Sequence, residues 1–308
     1  MTLGQDERTE LPIFSLGLLA APAYVATARV AIELLEARLA DRPRSRALYE
    51  SLTADPEAIA LWDLANYTTV GKLGYNDHGP LHARLTCSAA VQLLDLLVAG
   101  GQVPDVVTMG LGTLDDATLV VLAAGMLHDI GNALHREGQA RNGTLLADPL
   151  LRRLLPATYP DPRAAALVRA LILAAINAHD TQVPPLTLGS AIVAVADAID
   201  MTAGRGQASF ERGRIDIHSV SALAIDRVTI RAGTDRPVHV EVEMHSDTGL
   251  FQLQETLVRK LLRTPLAGLV SVTACVRGLD PAGAPRLIDC LALVEDRLQS
   301  RPSGPGSS

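Results

Sequence analysis

Lysine is almost missing from this chain. Only two of its 27 basic residues are lysine, Lys72 and Lys260, and the rest are arginine. Acidic residues outnumber them at 34, for a net charge of −7. That balance argues against nonspecific binding of a nucleic-acid duplex through a basic face. Aromatic residues make up 3% of the 308 positions. The core must therefore be built from Leu, Ala, Val and Ile, and no aromatic cluster suited to stacking bases is visible. Cysteine is scarce as well: Cys87, Cys275 and Cys290 are far apart, odd in number and form no CxxC. A disulfide framework is not expected, and a reducing cytoplasm is. Residues 11–28 lack charge, which raises the question of a membrane span. Pro12, Gly17 and Pro22 interrupt that run, and the mixed charges of Asp6 to Glu10 are unlike a signal-peptide flank. A buried or interface helix is expected there, with no membrane partner.

What is present is helical periodicity. Val25, Ala28, Ala31, Leu34, Leu35 and Leu39 lie at helical spacing over 21–40, and Asp41-Arg42-Pro43-Arg44 ends that helix. Residues 56–70 form a second candidate helix, with Pro56 in its first turn. A turn-rich segment, 71–80, leads into a helix over 81–99 that Gly100-Gly101 ends. A polar connector, Asp105 to Asp116, precedes an apolar run from Ala117 to Met126. That run closes on Leu127-His128-Asp129-Ile130-Gly131, with Gly131 suited to a C-cap. Residues 164–178 repeat the design and close on His179-Asp180. Residues 188–201 show it a third time, reaching Asp197 and then Asp200. Three hydrophobic helices thus present acidic groups at one end, and two add a histidine. Buried charges need partners, so this recurrence points to a shared polar site inside a helical bundle.

After about residue 222 the period changes. Val228-Thr229-Ile230 and Val238, Val240, Val242 and Met244 alternate with polar residues, as do Val270, Val272, Ala274 and Val276. Leu250, Leu253, Leu257 and Leu261 return to helical spacing, and Pro285 to Leu298 reads as a final helix. A small β-β-α-β-α unit fits. The expected organisation is a disordered lead over 1–10, a helical metal-binding domain over 11–218, an α+β unit over 219–299 and a disordered tail over 300–308.

The order His82, His128-Asp129, Asp197 resembles the HD-domain metal-dependent phosphohydrolases, over roughly residues 70–206. Leu127-His128-Asp129-Ile130-Gly131 looks like the family's central motif, and Val195-Ala196-Asp197-Ala198-Ile199-Asp200 like its closing motif. Asn76-Asp77-His78-Gly79 followed by His82 is similar to the opening segment of a prokaryotic branch that carries a C-terminal α+β unit. The resemblance implies a mainly α fold, an HD-type bundle with a smaller α+β unit appended. It implies that His82, His128, Asp129 and Asp197 bind a divalent ion. Mn or Fe is favoured for mixed imidazole and carboxylate ligation, with Mg, Ni, Co or Zn admitted. Such an ion acidifies bound water and polarises a phosphoryl oxygen. The implied activity is therefore hydrolysis of a small, nucleotide-like phosphoester or phosphoanhydride.

In two-metal branches a histidine precedes a glycine by four residues just after the central motif. Here Gln139 stands in that place before Gly143, and an amide is a poor transition-metal ligand. A second ion is left open. His135, read as one turn upstream of Gln139, could compensate, and His179 matches a further family histidine; either could also assist proton transfer. Arg136 and Arg205 resemble phosphate-binding positions, His78 could touch metal or phosphate, and Lys72 is a weaker candidate. His239 and His245 share a polar strand face with Glu241 and Glu243, which reads as solvated. The α+β unit is expected to cover the site or to form a homodimer interface. Two rivals follow from the same residues: a di-iron oxygenase, which needs the second site, and a nucleotide-binding regulatory module with little turnover.

Overall fold

The computed structural model describes residues 21–211, 217–277 and 288–301. The expected lead over 1–10 lies outside the described residues, as does the tail beyond Arg301. Helix α1, Pro22–Leu39, is followed by α2, Pro43–Ala54, and α3, Pro56–Asn66, which widens into a π-type turn over Tyr67–Lys72. Then come α4, Pro80–Ala99, the short α5, Asp105–Thr108, and α6, Leu114–Leu127. The bundle is completed by α7, Gln139–Leu154, α8, Pro162–Ala178, α9, Leu188–Ile199, α10, Ala203–Glu211, and α11, Ile217–Leu223.

Helix α6 is the axis. It is apolar on every side, and all of Asp116 to Leu127 is buried, as a helix hydrophobic all round must be. Helices α4, α8 and α9 pack around it. Its entry is set by a capping box between Thr113 and Asp116. The buried Asp116 carboxylate also receives Tyr159 Oη at 2.6 Å and Arg44 Nη1 at 2.6 Å. Trp62 Nε1 donates to Met126 O at 2.7 Å, satisfying a carbonyl at the end of the helix. Helix α4 is the one described helix long and apolar enough to cross a membrane, and 56% of its apolar window is buried inside the protein.

Two helices depart from the sequence reading. The first helix ends before Asp41-Arg42-Pro43-Arg44 as expected, but Pro43 also opens the unanticipated α2, in whose first turn a missing N–H costs nothing. Helix α7 was not anticipated; it starts at Gln139 because Gly138 turns the chain with φ 70° and carries Pro149 inside it. Gly131 is also corrected. It is no C-cap but part of a 3₁₀ turn over Ile130–Ala133. A Cβ there would lie 1.9 Å from Gln139 O and 2.3 Å from Gly143 N, so only glycine lets α7 approach the end of α6.

The C-terminal unit is a five-stranded sheet in sequential order: β1, Ile225–Ala232, β2, Val238–Met244, β3, Val270–Val276, β4, Cys290–Val294, and β5, Arg297–Arg301. Strands β2 and β3 are parallel, and the other neighbours are antiparallel. A helical crossover joins β2 to β3: α12, Gly249–Gln252, a π-type stretch, Leu253–Val258, and α13, Arg259–Leu261. The alternation in β2 and β3 puts Val238, Val240, Val242, Met244, Val270, Val272, Ala274 and Val276 in the core.

The expected final helix over 285–298 is overturned in its described part, which forms β4 and β5. Glu295 and Asp296 both have positive φ, making the two-residue reversal that joins strands. The expectation of no disulfide is overturned too. Cys275 and Cys290 face each other across β3 and β4 and are joined. Sequence distance hid a pair that strand register brings together, and the inference of a reducing compartment loses that support. Cys87 is free and buried.

Candidate metal centre

Four helix ends converge on one point. His82 lies in the first turn of α4, and His128 caps the C-terminus of α6 with Asp129 next. His179 caps the C-terminus of α8, and Asp197 lies in the last turn of α9. Three of the four are C-terminal ends, whose unsatisfied carbonyls favour a cation. His82, His128, Asp129 and His179 are each at most 5% exposed.

The histidine tautomers follow from their outer partners. His82 Nδ1 lies 2.7 Å from Asp200 Oδ2, His128 Nδ1 2.8 Å from Gly125 O, and His179 Nδ1 2.6 Å from Ile176 O. Each partner is an acceptor, so each Nδ1 carries a hydrogen and each Nε2 turns inward, with its lone pair available when the ring is neutral. His82 Nε2 and His128 Nε2 stand 3.0 Å apart. Two lone pairs at that distance repel unless a cation or a proton lies between them.

The donor set fits a divalent ion. With bonds near 2.1 Å, two ligands on one ion stand about 3.0 Å apart in an octahedron and about 3.4 Å apart in a tetrahedron. Asp197 Oδ1 is 3.1 Å and Asp129 Oδ2 3.3 Å from His82 Nε2, and Asp129 Oδ2 is 3.3 Å from His128 Nε2. The His128–Asp197 separation is wider, at 3.7 Å. Among the described residues, two triads could hold an ion: His82, His128 and Asp197, and His128, Asp129 and His179. An outer carboxylate on a ligand histidine, as Asp200 is to His82, fixes the ring and raises its basicity.

Charge in the cluster is strongly redistributed. Burial and Arg205 press His82 toward neutrality, but hydrogen bonds to Asp129, Asp197 and Asp200 outweigh them and lift it to about 10. His128 is also raised: burial opposes, and the charge of Asp129 prevails. Asp129 and Asp197 are held well below the usual carboxylate range; burial works against this, and His128 for Asp129, and Lys260 for Asp197, lead the charges that overcome it. His179 goes the other way, pushed down to about 4 by burial and then by His128. It is neutral at physiological pH. The same site therefore contains one imidazole that holds a proton strongly and one that refuses it.

Around the ligands lies a cavity of about 470 Å³. Arg136 lines it, anchored by Asn132 Oδ1 at 3.2 Å and set over the Tyr75 ring. His78 lines it as well, with its Nδ1 2.6 Å from Asn76 O and its pKa shifted down by burial. It precedes α4 rather than sharing its face with His82. Arg205 reaches the cavity, but its Nε donates to Asp77 O at 2.9 Å and its Nη1 to Asp200 O at 2.7 Å. Those bonds tie the closing segment to the opening one. His135 is not brought to the site. It is exposed, and its Nδ1 accepts from Glu137 N at 3.0 Å. The helix begins only at Gln139, so His135 is not one helical turn before it. Lys72 is exposed and sits over the Tyr67 ring, away from the cavity. His239 and His245 bond to Ser271, Thr273 and Asp226 outside it.

Several contacts of the centre were not foreseen from the sequence. Tyr24 Oη donates to Asp200 Oδ2 at 2.6 Å, from a helix more than 170 positions away. Gln139 Nε2 donates to the His179 Nε2 lone pair at 2.9 Å, and Asn132 Nδ2 to Asp129 Oδ1 at 3.0 Å. Gln139 Oε1 is buried without a hydrogen-bond partner, an acceptor suited to a water molecule. Lys260 Nζ contacts Asp197 Oδ2. The rarity of lysine was the one signal that could have marked it.

The HD domain family matches residues 107–202. That span includes His128, Asp129, His179 and Asp197; His82 and Lys260 lie outside it. A relative in Methanocaldococcus jannaschii, described as "Uncharacterized protein MJ1020", is 34% identical over 236 residues, covering 77% of this chain and 91% of its own. No solved structure matches.

Proposed function

The chain belongs to the HD-domain superfamily, and from that premise we propose that it is a metal-dependent phosphohydrolase acting on a small phosphorylated, nucleotide-like substrate. The observation that carries the reading is the His82–His128 pair, with two Nε2 atoms 3.0 Å apart and two carboxylates beside them. His82, His128, Asp129 and Asp197 would hold a divalent ion, with Mn or Fe the best match to the donors. Such an ion, when bound, polarises a phosphoryl oxygen and acidifies water.

The chain's own groups supply the rest. Arg136, which lines the cavity, would take two phosphate oxygens bidentately. His179 is neutral and its Nε2 lone pair takes the Gln139 amide, so it would position Gln139 at the wall of the cavity rather than donate a proton. Arg205 has two of its nitrogens committed and serves to position Asp200 and Asp77. The crossover helix walls the cavity through Gln252, Glu255, Thr256, Arg259 and Lys260. This supports a covering role for the C-terminal unit over a purely dimeric one.

The test is phosphate release by Mn²⁺- or Fe²⁺-reconstituted protein across phosphomonoesters, nucleotides, cyclic nucleotides and dinucleoside polyphosphates. Metal-dependent turnover that Asp129→Ala abolishes is expected. Tight nucleotide binding with no release on any substrate would replace the hydrolase by a regulatory module.

A further inference from the structure

A second ion at this centre would need the His179 Nε2 lone pair and the second oxygen of Asp129. Both are already hydrogen-bonded to amides, the first to Gln139 at 2.9 Å and the second to Asn132 at 3.0 Å. Beside them stands a different cation. Lys260 lies on the crossover helix of the C-terminal unit, outside the bundle, and packs against α9. Its ammonium contacts Asp197 Oδ2, while Asp197 Oδ1 faces His82 and His128. The two oxygens of one carboxylate thus serve the ion site on one side and the ammonium on the other, as a bridging carboxylate serves two ions.

The lysine is not a surface charge that happens to fold inward. Its side chain is 15% exposed, and it lines the cavity. An ammonium has three donors, and Asp197 takes one of them. Arg136 is the bundle's own candidate for phosphate, and the remaining cations of the cavity are less well placed. Arg205 has two nitrogens engaged with carbonyls, and Arg259 pairs with Glu255 at 3.2 Å. Arginine fills nearly every other basic position of this chain. A compact point charge on a flexible stem differs from a planar fork in just what is needed beside a metal ligand.

We propose that the centre holds one ion, and that Lys260 supplies the second positive charge, binding the phosphate of the substrate from the C-terminal unit. The inference rests on the phosphohydrolase reading and adds a residue outside the family match. It also gives the appended unit a definite role, because the bundle alone has a metal cradle but lacks half of its phosphate clamp.

The experiment uses the full chain loaded with Mn²⁺, counting ions by elemental analysis and titrating inorganic phosphate by calorimetry. Wild type and Lys260→Met should both hold one Mn²⁺ per chain. Phosphate should bind about 10- to 100-fold more weakly to the variant, the range for loss of a charge-assisted hydrogen bond. Lys260→Gln, which can still donate to Asp197, should show the same loss, and it decides the matter if the methionine variant does not fold. Undiminished phosphate affinity in the folded variant would overturn the role of Lys260 and leave the hydrolase reading standing. Two ions per wild-type chain would overturn the single-ion centre. Loss of Mn²⁺ from the glutamine variant would overturn the proposal by making Lys260 a prop for Asp197. Wild type that takes up Mn²⁺ but binds no phosphate would remove the hydrolase reading itself.

Discussion

Asp200 is the most informative residue to change, because it touches no ion position yet governs one. Tyr24 Oη and His82 Nδ1 both approach the same oxygen, Oδ2, at 2.6 and 2.7 Å. Asp200→Asn can keep that oxygen, and therefore both hydrogen bonds, while removing the charge. Asp200→Ala removes both and leaves two buried donors unsatisfied. Outer-shell partners of a ligand histidine are worth roughly 10–100-fold in metal affinity. We expect Asn near the lower end and Ala near the upper, with Ala also destabilising the fold by about 1–3 kcal/mol for each orphaned donor. Competition against a chromogenic chelator measures affinity, and chemical denaturation in chelator measures stability. If Asp200→Ala bound Mn²⁺ as tightly as wild type, His82 would not be a ligand oriented through its Nδ1, and the centre as described would be wrong.

Other consequences can be measured directly. Because His82 is lifted to about 10, ion uptake near neutral pH must expel its proton. Affinity should rise about tenfold per pH unit between roughly 6.5 and 9, with at least one proton released per ion in calorimetry across buffers; no release would contradict the shift. For folding of the ion-free protein, the raised His82 contributes stability below its unfolded value and loses it as pH rises through about 10. The depressed Asp129, Asp197 and Asp200 contribute above the usual carboxylate range and lose it as pH falls below. The melting temperature in chelator should therefore peak roughly between pH 4.5 and 6.5, above the ordinary carboxylate value and no higher than the ordinary imidazole value. Denatured, unreduced protein should titrate one thiol, Cys87, and three after reduction. Cys290→Ser should cost about 3 kcal/mol from the 15-residue separation that the disulfide closes. Gly131→Ala should destabilise by at least about 3 kcal/mol in urea melts, since its Cβ would meet backbone atoms that cannot turn away.

The sequence by itself determined the helical bundle and four residues that meet at its polar centre, His82, His128, Asp129 and Asp197. Apolar runs of helical period that stop on His128-Asp129, on His179 and on Asp197 can only be buried, and buried charges must meet one another. Strand alternation was equally legible in β2 and β3, where one face is core. Tertiary structure decided what local pattern does not encode. Glycine and proline have several meanings, so Pro43 starts a helix and Gly131 admits a neighbouring backbone. The short strands after residue 288 and the Cys275–Cys290 pair depend on register with β3, which no single segment contains. His135 and Gln139 are four residues apart, but the turn at Gly138 separates them. Lys260 and Tyr24 reach the centre from opposite ends of the chain, because a folded core brings together side chains by packing, regardless of their distance along the backbone.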